Sequence, residues 1–294
     1  MEVDVTMKEP SPSFTEDSAG DGVAPLSSDQ WGLREGWLSP DYHKSRRVEI
    51  DLLRAAENRC LCLFDNRPET EYYKVLRTQI QQRTRQNGWN TIMVTSVNSG
   101  EGTTLTAINL SLTLAKEFSQ TVLLVDADLR NQQICRHLGY DSHLGLTDYL
   151  ERGEAFENII SWPGIEKLTV ISGGKTIHNS SEVLGSPRMQ SLMTEMKSRY
   201  RDRYIIFDLP PVLNHADAVS FAPLVDCIMI IAAAGRTTLE DIHKAQRLFP
   251  EEKILGYVLN RYDEIEVPKP KGPPAYGRPR LRSLVPGIFW KRKK

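Results

Sequence analysis

The segment Ser96-Val97-Asn98-Ser99-Gly100-Glu101-Gly102-Thr103-Thr104 follows the β-branched run Thr91–Thr95 and leads straight into an apolar stretch of helical period. Glycines between a buried strand and a helix start let backbone N–H groups turn inward. The helix dipole adds positive potential, so such a turn can cradle an anion. In the general phosphate loop, G-x-x-x-x-G-K-[ST], the lysine reaches the β- and γ-phosphates and the hydroxyl holds Mg2+. Here Gly102 and Thr104 fit, but Thr103 stands at the lysine position and Val97 at the leading glycine. Alone, this pattern suits a glycine-rich turn without ligand as well as it suits a phosphate site. Two further segments add carboxylates: Val125-Asp126-Ala127-Asp128-Leu129-Arg130 and Ile206-Phe207-Asp208-Leu209-Pro210-Pro211. Asp126, Asp128 and Asp208 around a phosphate loop would make a hard-oxygen environment suited to Mg2+. Any one of them taken singly is equally a helix cap or turn former.

These groups meet only if the strands that carry them end at one edge of a sheet. Thr91–Thr95, Thr121–Val125, Leu168–Ser172, Tyr204–Phe207, Cys227–Ala232 and Ile254–Leu259 are short apolar, β-branched runs, as expected of strands buried on both faces. Leu105–Phe118, Pro187–Tyr200 and Leu239–Phe249 have helical period, with Pro187 suited to a first helical turn. Alternation of this kind predicts an α/β fold: a mostly parallel sheet with helices on both faces, joined by right-handed crossovers. Ligands of such sheets bind at the carboxyl ends of the strands. Residues 1–45 are rich in Ser, Pro, Gly and acids and are expected to form an acidic flexible segment. Residues 46–262 form the predicted P-loop domain, and 263–294 a Pro-rich, basic, flexible tail.

Taken together, V-T-S-x-x-x-G-E-G-x-T, V-L-L-V-D-A-D-L-R, Y-I-I-F-D-x-P-P and G-Y-V-L-N-R closely resemble the kinase domain of bacterial tyrosine autokinases of capsule and exopolysaccharide assembly. These are deviant-Walker P-loop ATPases, alongside division-site and plasmid-partition ATPases. The resemblance runs over about residues 66–262 and includes Asn179-Ser180-Ser181-Glu182-Val183-Leu184 with Ser186-Pro187-Arg188-Met189. It implies ATP and Mg2+ as cofactors. Ser99, Gly100, Glu101, Gly102, Thr103 and Thr104 would then hold phosphates, and Thr104, Asp126 and Asp208 the metal. Asp126 and Asp128 match the catalytic aspartates, one organising Mg2+ and the other acting as base toward a tyrosine hydroxyl. Asn260 and Arg261 match a pair near the nucleotide base. Glu71-x-x-Lys74-x-x-Arg77 resembles the E-x-x-R-x-x-R motif that packs kinase domains into a homo-oligomeric ring. Spacing of three keeps these charges on one arc of a helix, with Tyr72, Val75, Leu76 and Ile80 on another.

Three departures matter. Thr103 has neither the charge nor the reach of the lysine that stabilises a transferring phosphoryl. Only Tyr276 follows Tyr262, where the family's autokinases end in a tyrosine cluster. Lys74 replaces arginine and loses its bidentate geometry. The sequence therefore supports a regulatory, nucleotide-binding member of the family. An active kinase in which Arg130 or a neighbouring molecule's basic residue reaches the phosphates, and a positioning-type ATPase, are the alternatives.

Of the 294 residues, Lys and Arg number 37 and Asp and Glu 38, for a net charge of −1, which argues against a nucleic-acid partner held by bulk charge. The total conceals a polarity: residues 1–30 carry seven acids against Lys8, and residues 267–294 carry nine bases and no acid. The segment Gly287-Ile288-Phe289-Trp290-Lys291-Arg292-Lys293-Lys294 sets aromatics beside bases, a composition suited to an anionic membrane surface or to a solvated tail. No basic leader with an apolar run and no span of about 20 apolar residues is visible. Cys60, Cys62, Cys135 and Cys227 lack C-x-x-C spacing. The expected location is the cytoplasm, peripheral at the inner face of the membrane, beside a separate membrane-embedded chain-length regulator that the resemblance implies.

Overall fold

The computed structural model describes residues 45–64, 67–117, 120–199, 203–262 and 288–289. The acidic head and nearly all of the basic tail, with the expectations placed on them, lie outside the described residues. The elements are β1 (Arg46–Arg47), α1 (Leu52–Glu57), α2 (Thr70–Asn87), β2 (Thr91–Ser96), α3 (Thr103–Ala115), β3 (Thr121–Asp126) and α4 (Ile134–Leu138). There follow α5 (Phe156–Ile159), β4 (Ile160–Trp162), β5 (Leu168–Ile171), α6 (Ser180–Leu184), α7 (Pro187–Arg199) and β6 (Arg203–Asp208). The last are α8 (Asp217–Phe221), β7 (Cys227–Ala233), α9 (Leu239–Arg247), β8 (Ile254–Asn260) and β9 (Ile288–Phe289).

One sheet holds all the described strands in the order β1-β4-β5-β3-β6-β2-β7-β8-β9. The pairs from β5 through β8 are parallel, as the buried apolar runs predict. The margins depart from that pattern, since β4 pairs antiparallel with β5 and β9 antiparallel with β8. Strand side chains alternate between two cores. Met93, Leu123, Ile205, Phe207, Ile228 and Ile230 face α7, α8 and α9. Ile92, Val94, Val122, Leu124, Ile206, Met229 and Ile231 face α2, α3 and α4. Period-two alternation in a strand covered on both sides explains why every residue of β2, β6 and β7 is buried.

Helix α3 starts at Thr103 rather than Leu105, because Gly102 takes a left-handed conformation (φ 93°) and its carbonyl accepts from Thr106 N at 3.0 Å. From Thr106 to Ala115 the helix is buried all round, so its polar Asn109 is satisfied internally, donating to the Arg59 and Leu105 carbonyls and accepting from Cys62 N. On α2 the buried stripe contains Leu76 and Ile80, as expected, but Tyr72 is exposed and Tyr73 turns inward instead. The 100° step per residue places Tyr73, three before Leu76, on the buried side. Among the described residues no helix is long and apolar enough to cross a membrane.

Candidate nucleotide-binding edge

The central order β3-β6-β2 puts the ends of three strands side by side. From β2 the chain enters the glycine loop, β3 ends in Asp126, and β6 ends in Asp208, whose Cα partners are Asp126 on one side and Val94 on the other. The aspartates that sequence reading singled out are thereby brought together beside the loop. Asp126 Oδ2 accepts from Gln133 N and Ile134 N, each at 3.1 Å, and so caps α4, while Oδ1 is buried without a hydrogen-bond partner. Neither Asp208 oxygen accepts a well-formed hydrogen bond, although the residue is 1% exposed. Burial raises the Asp126 carboxyl above the ordinary range, the Ile134 N–H opposes the rise, and the Asp128 charge adds to it. Burial, then the Asp126 charge, raises Asp208 further, with the Thr104 hydroxyl pulling the other way.

Buried carboxylate oxygens without hydrogen-bond partners are uncommon in folded proteins, and a cation that would bind them is one physical reason for such an arrangement. Thr104 is the second residue of α3, next to Asp208, so the hydroxyl and two carboxylates fit Mg2+. That ion binds through one or two carboxylates together with phosphate oxygens and waters. Among the described residues no group of three or more His, Cys, Asp or Glu is placed to hold a metal ion. Asp128 is half-buried, and its Oδ1 accepts from Asn131 N at 2.9 Å and Arg130 N at 3.3 Å. Burial raises its carboxyl too, with Asn131 and Arg130 N–H opposing and Asp217 adding to the rise.

The loop itself is braced from behind. Glu101, 2% exposed, accepts from Asn98 N at 2.9 Å, within the loop itself, and from the Thr237 hydroxyl. Asn260 Nδ2 donates to the Glu101 carbonyl at 2.7 Å, and Arg261 Nη2 to the Gly100 carbonyl at 2.8 Å. The strand-end pair at the close of β8 thus engages two successive carbonyls of the loop. Gly102 is required here twice over: its φ is left-handed, and a Cβ would lie 2.2 Å from Asn260 Nδ2. Ser99, Gly100, Thr103 and Thr104 complete the turn, with Thr103 half-buried on the first turn of α3.

Arg130 does not reach toward the loop. Its Nη2 donates to the His178 carbonyl and its Nε lies 3.6 Å from Asp217 Oδ2, so the guanidinium is spent on the fold. Asp217 and Thr237 are site residues that sequence reading passed over. Asp217 is a lone acid in an otherwise unremarked Ala-Asp-Ala stretch. Thr237 precedes Thr238, which caps α9 by accepting from Asp241 N at 3.1 Å, so both threonines read as capping residues. Glu71, Lys74 and Arg77 stand apart from this edge. Arg77 bonds Thr113 O at 3.1 Å and Glu117 at 2.9 Å, at the far end of α3, while Glu71 and Lys74 pair with each other at 2.6 Å in solvent.

Comparison with known proteins agrees with this fold. The family described as "ParA: NUBPL iron-transfer P-loop NTPase" matches residues 88–265. The tyrosine-protein kinase YwqD of Bacillus subtilis is 31% identical over 193 residues, covering 65% of this chain and 80% of that protein. A putative tyrosine-protein kinase of Ralstonia solanacearum, EpsB, is 30% identical over 198 residues, which is 67% of this chain and 26% of EpsB. The solved kinase domain of Escherichia coli tyrosine kinase ETK superposes with a TM-score of 0.63 at 24% identity, over 88% of this chain and 100% of that one, and shares the fold. The chain belongs to the ParA-type P-loop NTPases, in the branch of the bacterial tyrosine-protein kinases.

Proposed function

We propose that the chain binds ATP with Mg2+ at this edge and acts in the cytoplasm as a regulatory, tyrosine-kinase-like component of exopolysaccharide or capsule synthesis and export. Nucleotide binding would govern its assembly into a homo-oligomeric ring, and with a membrane-embedded chain-length regulator, rather than drive rapid phosphotransfer. The observation that carries the reading is the pair Asp126 and Asp208, buried with unpartnered oxygens beside a glycine loop whose lysine position is Thr103. Bound Mg2+ supplies charge neutralisation to phosphate oxygens. The chain's own part is to orient phosphates through the backbone N–H groups of Ser99 to Thr104 and to hold the cation through Thr104, Asp126 and Asp208. Thr103 adds no charge to a phosphoryl in transit, and groups of that kind are worth orders of magnitude in rate.

A second reading, an active kinase, has Asp128 in its favour: a half-buried carboxylate with a raised pKa is a candidate base for a tyrosine hydroxyl. Incubation with γ-labelled ATP separates the two. The regulatory reading expects a Mg2+-dependent thermal shift with ATP and little transferred label. Robust labelling that Asp128→Asn abolishes would establish the kinase instead, and no thermal shift at millimolar ATP would remove both.

A further inference from the structure

The loop between β7 and α9 lies against the glycine loop, fastened there by the Thr237 hydroxyl on the Glu101 carboxylate. The preceding residue, Arg236, is thereby carried over Gly100: its Nη1 lies 3.8 Å from the position a Cβ on Gly100 would take. Arg236 is exposed, and among the described residues no hydrogen bond or ion pair engages its guanidinium. The other arginines at this edge are committed. Arg130 is tied to Asp217 and His178, and Arg261 to the Gly100 carbonyl. The turn that carries Arg236 is held by its own backbone, Arg236 N and Thr237 N both donating to the Ala233 carbonyl, and Gly235 before it takes a left-handed φ of 71° with open space around it.

Resting on the reading that this edge takes a nucleotide, we propose that Arg236 is the cation that meets the polyphosphate in place of the absent lysine at Thr103. The charge comes from the β7–α9 loop across the mouth of the cradle instead of from the first turn of α3. Guanidinium suits the task, since it presents several donors in a planar fork that matches phosphate oxygens. A rim arginine of this kind contributes to affinity in proportion to the phosphates it can reach. It discriminates triphosphate and diphosphate from monophosphate without touching the base.

The test uses the full chain and measures affinities for ATP, ADP and AMP with Mg2+, by calorimetry or by displacement of a fluorescent nucleotide. Arg236→Gln is expected to weaken ATP roughly tenfold or more, the loss of one charge-assisted contact, while leaving AMP unchanged. Arg236→Lys should keep most of the ATP affinity. Thr103→Lys placed in the Arg236→Gln background should restore it, because the lysine would then supply the charge from its usual position. Equal ATP affinity in Arg236→Gln and the unaltered chain would overturn the proposal while leaving nucleotide binding intact. A uniform loss for ATP and AMP alike would also overturn it, since it would show damage to the loop. Failure of the unaltered chain to bind any of the three would remove the nucleotide reading together with this one. Melting temperatures without nucleotide, expected to be equal, verify that the exposed substitutions leave the fold unchanged.

Discussion

Asp126 and Asp208 are Cα partners across the parallel strands β3 and β6, each 1% exposed, and three of their four carboxylate oxygens lack a hydrogen-bond partner. Burial raises both carboxyls; the Asp128 charge adds to the rise at Asp126, and the Asp126 charge to the rise at Asp208. A carboxyl whose folded pKa lies above its unfolded value favours the native state when protonated, and that contribution is lost as pH rises through the folded pKa. At neutral pH without a cation the pair therefore works against the fold.

Asp208→Asn should accordingly raise the melting temperature of the ligand-free protein at pH 7 to 8, by roughly 2–4 °C for each kcal/mol of repulsion removed. It should also abolish the additional stabilisation by Mg2+ with ATP. Calorimetry with EDTA, and then with Mg2+ and ATP, checks both halves. A lowered melting temperature accompanied by an intact Mg2+ effect would contradict the assignment.

Gly102→Ala tests the bracing of the loop. The new Cβ meets Asn260 Nδ2 and must adopt a left-handed φ, which alone costs about 1–2 kcal/mol. Urea denaturation should show at least that loss, and the ATP-induced shift should vanish. Removing the obstructing amide in Gly102→Ala/Asn260→Ala should recover part of the stability, leaving the conformational share.

Much of this edge was legible in the sequence because its parts are strand ends. Buried parallel strands read as apolar runs, so the residue that closes each run, Asp126 or Asp208, falls at the sheet edge whatever the connecting helices do. The marginal strands were not legible. β1 and β4 have only 2 and 3 residues, too few for a period to register, and β4 runs antiparallel to β5 but parallel to β1, a pairing no residue pattern announces. Side-chain direction was also out of reach. Glu101 lies within the phosphate-loop motif, yet its carboxylate bonds Asn98 N and Thr237, a partner 136 residues away. Arg130 follows the aspartates directly, yet Asp217, in a later helix, captures it.

The charged arc of α2 divides into two kinds of residue, which substitution should separate. Arg77 is part-buried between the Thr113 carbonyl and Glu117, and hydrogen bonds to charged groups are worth about 1.5–3 kcal/mol. Arg77→Ala should lower monomer stability by about that amount. Glu71 and Lys74 pair in solvent, where such contacts contribute about 0.2–0.5 kcal/mol. Glu71→Ala should leave the melting temperature unchanged and, if the ring forms through this face, weaken self-association in sedimentation velocity. A stability loss in Glu71→Ala as large as in Arg77→Ala would refute the division.

Asp226 sits at the opposite end of the strands, where the neighbouring β2 and β7 begin, and locks two chain segments together. It accepts from Asn90 N and Thr91 N at 3.0 Å, from the Thr91 hydroxyl at 2.8 Å, and from Lys197 Nζ at 2.6 Å. Burial alone would raise its carboxyl, but Lys197 and the Asn90 and Thr91 donors outweigh it and hold the group below its ordinary value. A depressed folded pKa gives stability that is present above the unfolded carboxylate value, about 3.9, and is lost as pH falls through the lower folded one. Asp226→Asn removes that contribution at every pH. The variant should therefore be less stable than the unaltered protein by a constant margin from pH 5 to 7, and the two urea midpoints should converge below about pH 4. Lys197→Met should shrink the same margin without erasing it, because the Asn90 and Thr91 donors remain. A gap between variant and parent that persists undiminished into acid would show that Asp226 acts through shape and not through charge.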